Sequence, residues 1–141
     1  VYKRQPLDST AMTSIERKKE VRTAALDLHR ALLDSQVLEI EKATGHPMSA
    51  NEKLSAALQD PRFLWLRELS GVLALLDAEA AAKPDDEPFE GPPALEQLAA
   101  LVAPPDPDAS FGRRYLRELQ ENPEVGLAHG ALIGLLDSPQ T

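Results

Sequence analysis

Apolar residues recur along this chain at three- and four-residue spacing and nowhere alternate with polar ones between turn signals, which predicts helices and no strands. The clearest stretch is 60–82. Asp60 can accept from first-turn amides as N-cap, and Pro61 occupies the first helical position, where a missing N–H costs nothing. At 100° per residue Trp65, Leu66, Leu69, Val72, Leu73, Leu76 and Ala80 share one side, so the helix is expected to wall a core and run to about Lys83.

Upstream, residues 1–12 show no period and are expected to form an N-terminal arm, with a single helical domain over 13–141. Thr13 and Glu16 have the spacing of a capping box, and nothing breaks the helix before the stop at Gly45. Its apolar positions form two adjoining stripes, one of Val21, Ala25, Leu28 and Leu32, the other of Leu26, Leu33, Val37 and Ile40. Two stripes imply two neighbours. A second capping box, Ser49 with Glu52, opens a short helix to about Gln59, with Leu54 and Leu58 as its expected core contacts.

Downstream, the stretch from Lys83 to Pro93 holds four prolines and a run of acidic residues, so it reads as a linker that Phe89 is expected to pin to the body. A short helix from Ala94 to Val102 would bury Leu95, Leu98 and Leu101 or Val102. After a proline-rich connector, Asp108 or Ser110 would cap a helix to Glu121 carrying Phe111, Tyr115, Leu116 and Leu119. Asn122-Pro123 then repeats the Asp60-Pro61 device and starts the last helix.

That last helix has no Asp, Glu, Lys or Arg from Val125 to Leu136, and a helix apolar on every side is expected to be buried, inside the bundle or against another chain. Gly126, Gly130 and Gly134 recur at i+4, each costing roughly 1 kcal/mol relative to Ala. Close approach of a second helix would offset that cost. Ser70, Ala74, Ala78 and Ala82 form a matching small-residue ridge, so either the two ridges meet or the glycine face meets its own copy in a homodimer. The expected fold is an all-α bundle of about six helices, with long first and third helices and a buried C-terminal helix.

Composition narrows the function. The chain has 141 residues, a net charge of −8 and no cysteine, which excludes disulfides and thiolate chemistry and suits a reducing cytoplasm. Its longest uncharged run is too short for a membrane span, and the first residues lack the apolar core of a signal peptide. Residues 46–141 carry 16 Asp+Glu against 7 Lys+Arg, an acidity that repels phosphate backbones and argues against nucleic acid. The basic cluster Arg17, Lys18, Lys19 and Arg22 reads as a solvated face that meets the acidic linker, or as a site for an anionic partner.

Chemistry-bearing residues are few. His29 and His129 fall among core positions, and with Asp77, Asp34 or Glu39 from neighbouring helices they could hold zinc or iron in a bundle core. The specific spacings are absent. Leu26 and Gly126 stand three residues before these histidines where a di-iron bundle has glutamate, and no His-Glu-x-x-His occurs. Ser70 lacks the Gly-x-Ser-x-Gly turn of a hydrolase. Arg113, Arg114 and Arg117 are expected to pair within their helix with Glu118 and Glu121.

Leu28-His29-Arg30, the segment from Asp60 to Ser70 with its Asp-Pro-x-Phe-x-Trp-Leu run, and Pro123-Glu124-Val125 with His129 resemble a family of small uncharacterised bacterial helical-bundle proteins. The resemblance covers most of the chain from about residue 20 and implies a fold but no activity. It also implies a glutamate near the position held here by Gln36, which takes a carboxylate away from the metal reading. The reading is thus a non-enzymatic cytoplasmic bundle that self-associates or binds a protein partner, with metal or small-ligand binding as the alternative.

Overall fold

A computed structural model of the chain describes residues 14–137, and the expected N-terminal arm lies outside them. Among these residues there are six α-helices and no strand: α1 (Ser14–Thr44), α2 (Ala50–Gln59), α3 (Arg67–Ala81), α4 (Ala94–Val102), α5 (Ser110–Glu121) and α6 (Pro123–Leu136). The fold is an all-α bundle. No helix is long and apolar enough to cross a membrane.

The organising element is α1. Gly45 ends it at φ +83°, the left-handed conformation that only glycine adopts without strain. Helix α3 runs antiparallel to α1, since Arg22 pairs with Asp77 and His29 bonds Ser70. Helix α6 makes the most extensive pairing in the molecule, also antiparallel, with Leu136 beside Arg17 and Pro123 near Leu38. Helix α4 packs on α3, where Glu79 caps it by accepting from the Ala94 amide at 3.0 Å. Leu28, Leu32, Leu69, Leu98, Tyr115, Val125 and Leu132, each 0% exposed, meet at the centre.

Five expectations change. The stretch after Asp60 is not one helix: Pro61–Leu66 is a 3₁₀ segment that passes into α3. Its i to i+3 eclipsing stacks Phe63 over Leu66, so both are buried while Trp65, expected inside, is half-buried. Leu54 and Leu58 are 62% and 64% exposed, because α2 turns only the half-buried Ala56 to the body. Phe89 is 45% exposed and does not pin its loop. Helix α5 starts with Ala109 as N-cap and no side-chain cap, in place of Asp108 or Ser110, because Gly112 brings α5 directly against the Asp106 carbonyl.

Candidate functional site

Gln36, 1% exposed on α1, is the centre of the densest polar cluster. Its side-chain carbonyl accepts from Trp65 Nε1 at 3.1 Å and from Arg114 Nη2 at 3.2 Å. Arg114 also donates to Glu39 at 3.0 Å and to Glu118 at 3.3 Å, and its guanidinium carbon lies 5.2 Å from the Trp65 ring centre. Glu118, 4% exposed, accepts a further bond from Ser35 at 2.5 Å. Every member has a partner, so the cluster joins α1, the 3₁₀ segment and α5 and leaves no reactive group over. The expected intrahelical pairs Arg114–Glu118 and Arg117–Glu121 both form, at 3.3 and 3.5 Å. The cross-helix role of Arg114 is not visible in its own spacing. Its one signal in the sequence is a glutamine standing between Leu32, Leu33, Val37 and Ile40.

The two core histidines have different neighbours. His29 Nε2 lies 2.8 Å from Ser70 Oγ, whose proton goes to the Leu66 carbonyl at 3.1 Å. With the proton so placed the hydroxyl accepts from Nε2–H, and the contact joins α1 to α3. Tyr115, fully buried, has no other acceptor among the described residues and donates to His129 Nδ1 at 2.7 Å. Burial pushes the Tyr115 pKa up and both histidine pKa values down, so all three stay neutral at pH 7.

Asp34 and Asp77, the carboxylates of the metal reading, have other neighbours. Asp77 is taken by Arg22, and exposed Asp34 lines a cleft of about 390 Å³ between α1 and the α5–α6 corner with Glu39, Glu121 and Glu124. Among the described residues no three His, Asp or Glu side chains stand where they could hold a metal ion. The N-terminal basic cluster also divides. Arg17 is only 7% exposed and donates to the Leu136 carbonyl at 2.8 Å, where a cation suits the C-terminal end of a helix. Lys18 and Lys19 remain exposed without an ion pair to the acidic loop.

The last helix departs most from expectation. Val125 and Leu132 are fully buried against the bundle, but the opposite face carries Leu127, 78% exposed, with Gly130, Ala131 and Gly134. A Cβ built on Gly126, Gly130 or Gly134 meets nothing within 4 Å. The glycine ridge thus does not meet Ser70, Ala74 and Ala78, which lie exposed on α3. Helix α1 takes the place beside α6 that α3 was expected to fill.

Compared with protein-family models, curated proteins and solved structures, the chain matches none of them. The resemblance of its Asp60–Ser70 segment therefore rests on those residues alone.

Proposed function

We propose that this protein is a cytoplasmic interaction module that works by self-association through the outer face of α6, and not by catalysis. The observation that carries the reading is the helix's unexplained cost. Gly126 and Gly130 each destabilise it by roughly 1 kcal/mol relative to Ala, and among the described residues no neighbour comes within 4 Å of a Cβ built at either. Contact with a second chain would supply the compensation.

A second copy suits this face. Leu127 projects from an otherwise smooth surface of Gly130, Ala131 and Gly134, so a two-fold axis pairing two α6 helices antiparallel seats each Leu127 in the other's glycine notch. The face carries no charge between Val125 and Leu136, which spares it the repulsion that the chain's net −8 sets up elsewhere. His29, Ser70 and His129 are committed to bonds that hold helices together, which favours binding over chemistry.

Light scattering after size exclusion tests the reading. At high salt the unaltered chain is expected at twice its monomer mass, with Leu127→Glu and Gly130→Leu monomeric at unchanged helicity. A monomer at high salt, or high-salt dimers that survive both substitutions, would overturn it.

A further inference from the structure

A second surface, independent of α6, lies at the end of the bundle that α2 occupies. At 100° per residue Ala50, Leu54, Ala57 and Leu58 share one face of α2, and all four are exposed. A ten-residue helix with no buried residue has its apolar side in water. On the flank of that face stands Lys53, exposed and in no ion pair among the described residues.

The complementary surface is on the same chain at the other end. The loop 83–93 is exposed throughout and carries Phe89 between acidic residues. Of these, Asp85, Glu87 and Glu90 make no hydrogen bond or ion pair among the described residues, whereas Asp86 accepts from the Lys83 amide at 2.7 Å. Four prolines stiffen the loop, so little conformational freedom is lost when it docks. The loop leaves α3 just after Asp77, which pairs with Arg22, while α2 follows the opposite end of α1. Roughly 30 Å of helix separates them at 1.5 Å per residue. The two surfaces therefore meet only between molecules.

We infer that the leucine face of α2 docks the acidic Phe89 loop of a second copy, head to tail. Phe89 covers Leu54 and Leu58, and the loop carboxylates approach Lys53. Because this contact repeats without closing, it links molecules into open strings. Its small area places it in the transient class, below about 1,200 Å², so it is read at high protein concentration.

Sedimentation velocity on the full-length chain carrying Leu127→Glu isolates this contact from the α6 contact. In that background the mean mass is expected to rise with concentration at low salt and to fall back at high salt. Adding either Leu54→Glu with Leu58→Glu, or Phe89→Glu, leaves a monomer. An equimolar mixture of those two variants forms a capped dimer of twice the mass, since each keeps the surface the other lacks. All three substituted positions are exposed, and circular dichroism verifies the fold. Variants that sediment as independent monomers when mixed would overturn the inference. Association that survives Phe89→Glu would also overturn it, by pointing to α2 pairing with its own copy.

Discussion

Gln36 shows how much one buried amide can hold. Its carbonyl oxygen satisfies both the Trp65 indole and one arm of Arg114. Gln36→Ala removes both acceptances, and a buried donor left unsatisfied costs roughly 1–3 kcal/mol, so a loss of that order is expected in denaturant unfolding with the helix content intact. The histidines give a second residue-level expectation. Burial lowers the folded pKa of His29 and His129 below the ordinary 6.5, so the unfolded chain takes up protons first. Stability is then complete above pH 6.5 and is lost as pH falls through 6.5 toward the folded values. Melting temperatures followed from about pH 8 to about pH 5 check this, and His29→Asn with His129→Asn should flatten the decline. Neither the acceptor of Tyr115 nor that of His29 was legible in the sequence, because each bond joins residues on different helices and depends on the angle at which those helices cross.

At the scale of elements, punctuation was readable and orientation was not. Ser49 with Glu52, Asp60-Pro61, Asn122-Pro123 and Gly45 mark helix ends where the structure has them, because caps depend on their own few residues. Which way a helix faces depends on its neighbours. Leu54 and Leu58 fit an inward stripe as well as an outward one, and only the turn after Gly45 decides between them. Glycines divide in the same way. Gly112 is required, since a Cβ there would lie 1.9 Å from the Asp106 carbonyl oxygen, whereas Gly130 meets nothing. Gly112→Ala is accordingly expected to destabilise the fold sharply. Gly130→Ala should raise monomer stability by roughly 0.5–1 kcal/mol, and parallel urea titrations of the two variants compare them directly.

For the molecule as a whole, charge and contact act against each other. Each copy carries −8, so an uncharged meeting face must overcome a long-range repulsion that salt screens beyond roughly 10 Å at 0.1 M. Dimerisation through α6 should therefore strengthen as salt is added. The contact between α2 and the Phe89 loop, held partly by opposite charges, should weaken. Light scattering across a salt series separates the two trends. The all-α fold was legible as a whole because it needs only periodicity and stops. The candidate surface was legible in composition, as an uncharged helix rich in glycine, but not in its setting, since the sequence does not say that α1 covers one side of it and leaves the other bare. Finally, α6 is fixed at three points: Asn122 at its start, Tyr115 on His129 midway and Arg17 on the Leu136 carbonyl. A helix so anchored holds its outer side already in shape, so in the proposed pair no rearrangement would delay capture, encounter would proceed as between rigid bodies, and dissociation would set how long the pair endures.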